Sequence, residues 1–142
     1  MREILERLTA EHRQLLTQAE AIGSALSAHH AFENTPAARR RVHHLLQPFI
    51  ERLKGHAESE LKELFPVLRD RLPHADEWQV RMLEIQDEAL LALAHDLLDW
   101  SANHSTLPVT QVQEKAARLI RWMEEHVTIE EERLFPRLSS GA

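Results

Sequence analysis

The chain has 142 residues, 43% of them hydrophobic and 28% charged, with a net charge of −6. That is enough sequence for one domain, residues 1–142, with its own core and an ordinary soluble composition. Seventeen scattered basic residues argue against nucleic acid as a partner. The lack of cysteine excludes disulfides, thiolate chemistry and iron–sulfur ligation, and the longest apolar run, "ALLALA" from Ala89 to Ala94, is too short to span a bilayer.

The opening "MREILERLTAEH" is amphipathic and charged, unlike a secretory leader, and the cytoplasm is the expected location. Three glycines, no tyrosine and abundant Leu, Ala, Glu and Arg favour helix over sheet. The anomaly is ten histidines, the side chain most used to bind metals.

Four periodic segments follow in chain order. The first covers about residues 2–30, with Leu5, Leu8, His12, Leu15, Leu16, Ala19, Ile22 and Leu26 on one face. After "ENTP", Thr35 caps the second segment and Pro36 takes its first position. That segment covers about residues 36–71, with a stripe of Leu45, Leu46, Phe49, Leu53, His56, Glu60 and Leu64. Pro48 is expected to kink it, and Pro66 to bend or thin its last turns.

Asp76 is the expected cap of the third segment, about residues 76–103, which carries Val80, Leu83, Asp87, Leu90, Leu91, Ala94, Leu97 and Leu98. "ANHSTLPVT" breaks it. The fourth covers about residues 109–138 with Val112, Ala116, Leu119, Ile120, Met123, His126, Val127, Glu130 and Leu134. Four amphipathic helices with short connections predict an all-α, up-down-up-down antiparallel four-helix bundle. Trp78, Trp100 and Trp122 are read as an outer face available for an interface, and the oligomeric state is left open.

Two stretches repeat one pattern. "HAESELKELFPVL" (56–68) and "HVTIEEERLFPRL" (126–138) share His, Glu at +4, Leu-Phe-Pro at +8 to +10 and Leu at +12. Residues four apart lie on one helix face, and an imidazole with a carboxylate suits iron, manganese or zinc. The same HxxxE spacing at His29–Glu33 lacks Leu-Phe-Pro, falls at a helix end, and is read as solvated surface. In the two long repeats His and Glu lie inside the apolar stripe. Burying them uncompensated costs several kcal/mol per charged group, and a metal removes that cost. His12 sits on the apolar face of the first helix, between Leu8 and Leu15, and joins them as a candidate ligand.

The third helix supplies a fourth element by alignment. Offsets of −7, −4, +3, +4, +7 and +10 from His12 are apolar, and the same offsets from Asp87 give Val80, Leu83, Leu90, Leu91, Ala94 and Leu97. Asp87 therefore stands where His12 stands, with Gln86 as a poorer-matching alternative. His95 points away from the Leu83, Leu90 and Leu97 line and is read as facing solvent. Glu58, Glu131 and Glu132 are read as solvated, with Glu131 also placed to accept a hydrogen bond from a ligand.

"AEHRQLL", "HAESELKELFP" and "HVTIEEERLFP" resemble the hemerythrin-like, or HHE cation-binding, domains over nearly the whole chain. The resemblance implies a four-helix bundle holding two non-heme iron ions, with an oxo or hydroxo bridge as one arrangement. It implies His12, His56 and His126 as ligands, and Glu60 and Glu130 as bridging carboxylates. The family expects a histidine in the third helix, where this chain has "IQDEALLAL"; Asp87 is a competent hard ligand that adds negative charge and favours ferric iron. A ligand sphere poorer in histidine counts against reversible oxygen carriage, and leaves open one metal or two.

Three functions are compatible with these residues. The first is a di-iron protein that binds or senses O2, NO, or oxidative or iron status. The second is a role in nitric-oxide stress or in repair of iron centres, and the third a metal-free interaction bundle with a degenerate site. No Ser/His/Asp or Gly-rich phosphate motif is visible, so a metal or small-gas binder is favoured over a catalyst.

Overall fold

A computed structural model describes residues 1–27, 32–102 and 105–139. His29 of the His29–Glu33 pair, and the expected ends of the first and third segments, lie outside these. The helices are α1 (Arg2–Leu26), α2 (Pro36–Ser59), α3 (Phe65–Arg71), α4 (Glu77–Ser101), α5 (Val109–Thr128) and α6 (Phe135–Ser139). A π-helical turn, Glu60–Leu64, joins α2 to α3, and a second, Ile129–Leu134, joins α5 to α6. Each pair with its π-turn forms one long rod. A short 3-10 turn, His74–Asp76, leads into α4. The described residues contain no strand.

The four rods form a ring. α1 packs on α2 and α5, and α4 packs on the same two, so chain neighbours are antiparallel spatial neighbours and the bundle is up-down-up-down. The two HxxxE repeats stand on rods across the diagonal. No helix among the described residues is long and apolar enough to cross a membrane.

The start of α2 follows its local chemistry. Thr35 is extended, its hydroxyl accepts from Ala38 N–H at 3.1 Å, and Pro36 opens the helix. α2 runs through Pro48 as one continuous helix. Asp76 stands at the N-cap position of α4 but makes no capping bond; its carboxylate takes Arg137 at 2.9 Å instead.

Pro66 and Pro136 do more than bend their helices. A proline inside an α-helix clashes with the carbonyl four residues back and offers it no N–H. In both repeats the turn before the proline widens instead. The N–H of Phe65 bonds to the carbonyl of Glu60, and that of Phe135 to Glu130, five residues back. Each widened bond is anchored on the carbonyl of the glutamate of HxxxE.

The core divides in two. One apolar cluster gathers Leu15, Ile22, Leu46, Phe49, Leu97 and Trp100 with their neighbours. The other gathers Leu8, Leu64, Phe65, Leu83, Leu134 and Leu138 with theirs. Most of the expected stripe residues are buried. Leu16, Leu45, Leu91, Leu98, Ile120 and Val127 are only partly so, while Val42, Ile50 and Leu93 are core positions outside the expected stripes.

Two surface expectations are corrected. Trp100 is fully buried, packed under the Arg39 guanidinium at 4.5 Å, and Trp122 is half-buried against the core, so only Trp78 is exposed. Trp100 lies three residues beyond Leu97 and seven beyond Leu93, so its ring falls beside these buried side chains on the inward side of α4. His95 is half-buried rather than solvent-facing, because it sits on the flank of α4 and not on its outer edge.

Gly55 is an exposed mid-helix glycine, and a Cβ built there meets nothing within 4 Å. Gly55→Ala is expected to raise stability by about 0.5–1 kcal/mol, because it removes backbone entropy from the unfolded chain. A urea titration checks it.

Candidate metal centre

His12, His56, Glu60, Asp87, His126 and Glu130 are all buried, none more than 6% exposed. Each comes from the middle of its rod, between the two apolar clusters. Leu8 and Leu15 flank His12, Leu53 and Leu64 flank His56 and Glu60, Leu83 and Leu90 flank Asp87, and Met123 and Leu134 flank His126 and Glu130. The six side chains make one polar layer across the bundle.

Within that layer the atoms are close. His56 Nε2 lies 2.5 Å from Glu60 Oε1, and His126 Nε2 lies 2.5 Å from Glu130 Oε1. These are the two HxxxE pairs. The layer is knitted across the diagonal by His126 Nε2 to Glu60 Oε1 at 3.1 Å. His12 Nε2 stands 3.4 Å from Glu130 Oε2, and Asp87 Oδ1 stands 3.3 Å from His126 Nε2. Ligand atoms of His12, His56, Glu60 and Glu130 lie within 4.8 Å of one another, as do those of Glu60, Asp87 and His126. Glu60 belongs to both groups.

The outer nitrogen of each imidazole is held by a residue on a neighbouring rod. His12 Nδ1 is 2.6 Å from Glu131 Oε2, His56 Nδ1 is 2.7 Å from Glu11 Oε1, and His126 Nδ1 is 2.9 Å from Gln86 Oε1. Carboxylate and amide oxygens accept, so each Nδ1 carries the proton and donates. Every Nε2 is thereby turned inward, the orientation that a metal-ligating histidine needs; that of His126 faces Glu60 and Glu130, where a proton or a metal ion can stand between them.

These supports have a common origin. Glu11 precedes His12, Gln86 precedes Asp87, and Glu131 follows Glu130. One residue along a helix is a turn of roughly 100°, which carries the side chain from the core face to the seam with the adjacent rod. On α4, Asp87 points into the layer, and Gln86 holds His126 from the seam. Glu131 supports His12, while Glu58 is exposed with Lys62 at 2.6 Å and Glu132 is exposed. Sequence reasoning did not find Glu11, or Gln86 in this role; adjacency to an inward residue was the available signal. Phe135 of the second Leu-Phe-Pro also stacks on His12, ring centres 6.0 Å apart.

The electrostatics show what the layer lacks. His12 Nε2, His56 Nε2, Glu60 Oε2, Asp87 Oδ1 and both oxygens of Glu130 are buried without a hydrogen bond of good geometry. Lone pairs facing lone pairs in a dry interior are costly unless a proton or a cation stands between them. Burial, then the charge of Glu130, pushes Glu60 up to about 8. Burial, then the charge of Glu60, pushes Asp87 up to about 9. For His126 burial acts downward, but Glu130 and Glu60 outweigh it and hold the imidazole well above its ordinary value. Glu130 goes well below its ordinary value: burial opposes this, and His126 and His12 overcome it. Inward imidazole lone pairs with hard carboxylate oxygens are the donor set of a divalent metal, and the cluster fits one.

A helical bundle with a buried histidine–carboxylate layer is the architecture of a cation-binding bundle. The sequence profile of the Hemerythrin HHE cation binding domain matches residues 3–138, and the chain belongs to that family. No curated protein and no solved structure matches it.

A pH dependence follows for protein stripped of metal by a chelator. Asp87 and Glu60 titrate near 9 and 8 when folded, against ordinary values of 3.8 and 4.5, and His126 is also raised. The folded state therefore holds more protons near neutrality than the unfolded chain. The stabilisation is complete below the ordinary carboxylate range and is lost as pH rises through the folded values. Glu130 acts in the opposite sense only below its ordinary 4.5, outside this window. The melting temperature of the stripped protein is expected to fall steadily from about pH 6 to about pH 9, and Asp87→Asn to flatten the slope. Thermal melts across that range check it.

Proposed function

We propose that this chain is a non-heme di-iron protein that binds a small diatomic ligand, O2 or NO, and so senses oxidative or iron status. The observation that carries the reading is the shared position of Glu60. Its carboxylate reaches His56 on one side and His126 on the other, and it belongs to both groups of candidate ligands. Glu130 likewise reaches His12 and His126. Two carboxylates between imidazoles on both sides are what two adjacent metal ions require.

His12 and His56 would hold one ion, His126 and Asp87 the other, with Glu60 and Glu130 shared between them. Iron, when bound, supplies a redox-active centre with affinity for diatomic gases. The chain's own residues set its character. One side offers two imidazoles; the other offers a single imidazole and an additional carboxylate. Asp87 adds negative charge to its side, which favours the ferric state and disfavours reversible oxygen carriage. Glu11, Gln86 and Glu131 fix the three rings and leave Nε2 inward. A groove of about 500 Å3 between α1 and α6 is lined in part by Glu131 and Phe135, both of which touch His12.

The buried orphan atoms favour this reading over a metal-free interaction bundle, since a degenerate site would leave six inward polar atoms without a well-formed hydrogen bond.

Protein purified without oxygen is expected to carry two iron ions per chain and, after oxidation, to absorb in the near-ultraviolet. His56→Ala and His126→Ala should each remove metal. Less than one tightly bound metal per chain, unchanged by either substitution, overturns the reading. Free Fe(II) at a hundredfold excess over its dissociation constant should stabilise the fold by about 2.7 kcal/mol, a rise of roughly 5–10 °C in melting temperature.

The supports have a milder expected effect. Glu11→Ala, Gln86→Ala or Glu131→Ala should weaken metal binding about 10–100-fold while leaving stoichiometry intact at saturating iron. Competition with a coloured chelator measures it.

A further inference from the structure

α4 carries two apolar stripes, not one. Its inner stripe, Val80, Leu83, Leu90, Ala94 and Leu97, is buried in the bundle. On its outer face Trp78, Met82, Ile85, Ala89 and Ala92 recur at spacings of four, three, four and three. Trp78 is 57% exposed, Met82 44% and Ile85 53%; with Leu61 these are all the exposed large hydrophobics among the described residues. A helix with a second apolar face in water is short of a partner. A four-three spacing is the seam of a helix pair.

We propose that this face is a self-association surface, on which α4 pairs antiparallel with α4 of a second copy across a two-fold axis. A two-fold axis perpendicular to a helix makes the contact isologous and antiparallel, so the stripe must complement its own reverse. It does. Setting Met82 level with Ile85 of the second copy sets Trp78 level with Ala89 of the second copy. Large meets small at both ends, and the two branched or flexible chains meet at the centre. The same register brings Arg81 beside Glu88 of the second copy, and the axis repeats this pair. Arg81 and Glu88 are both exposed, and neither makes an ion pair among the described residues. Flanking pairs of opposite charge select register and orientation in helix pairs.

A single helix pair of this length lies at the low end of specific interfaces, below about 1,200 Å2 in total, so the dimer is reversible and dissociates on dilution. The seam also runs beside Gln86, whose side-chain oxygen accepts from His126 Nδ1. Self-association therefore shields from water the support that α4 gives to the polar layer.

Sedimentation velocity of the full, metal-loaded chain over a wide concentration range tests this. The expected result is a reversible monomer–dimer equilibrium, abolished by Ile85→Glu. Arg81→Glu, which sets like charges beside each other twice, should weaken the dimer at least tenfold, and Arg81→Glu combined with Glu88→Arg should restore it. These positions are exposed, so an unchanged circular dichroism spectrum and melting temperature confirm that each variant is folded. A wild-type chain that stays monomeric throughout, a dimer indifferent to Ile85→Glu, or a double exchange that fails to rescue each overturns the proposal.

Discussion

The structure depends on charge compensation in one layer. Three imidazoles and three carboxylates are held in a dry interior, and the apolar side chains above and below them deny them water. Every other feature of the site serves that layer. The stripes place it in register on four rods, the seams supply a hydrogen-bond acceptor for each ring, and the π-turns set the helix path beyond each glutamate. A lone buried carboxylate neutralises by taking a proton, as the raised values of Glu60 and Asp87 show. A cluster of six neutralises far better with a cation shared among them, and the family to which the chain belongs is one of cation-binding bundles.

The bundle was legible because its helices are strongly periodic and its breaks are chemically plain. Thr35-Pro36 marks one start, and "RLPHADEW" marks one end. The inward polar residues were legible because they interrupt apolar stripes: His12, His56, Glu60, Asp87, His126 and Glu130 each occupy a position that a leucine would otherwise take. The repeat then tied two of the rods together, and the offsets from His12 chose Asp87 over Gln86 for the inward face.

What escaped the sequence lies on the seams between helices. Glu11 and Gln86 do not show their supporting roles in the sequence, because a helical wheel separates core from solvent and has no category for the flank; Glu131 was legible as an acceptor only because it adjoins Glu130 in the repeat. Their role depends on which rod lies next door, and that is fixed by tertiary packing. Trp100 was misplaced because the three tryptophans were grouped as one outer face, whereas its spacing from Leu93 and Leu97 sets it beside buried side chains. The widened turns escaped because a proline in a helix is ordinarily read as a bend, while the alternative, one residue looped into the turn, leaves the same trace in sequence.

Those looped turns have a consequence for the grammar of the two repeats. Each inserts a phase slip into its rod, so that the residues before it and those after it obey separate counts around the helix axis. The histidine and glutamate belong to the first count, the Leu-Phe-Pro and its following leucine to the second. A one-residue deletion within either turn would merge the counts and rotate everything beyond it by about a quarter of a turn relative to the rest of the bundle. The repeated motif is thus a joint between two rigid pieces as much as a pair of side chains.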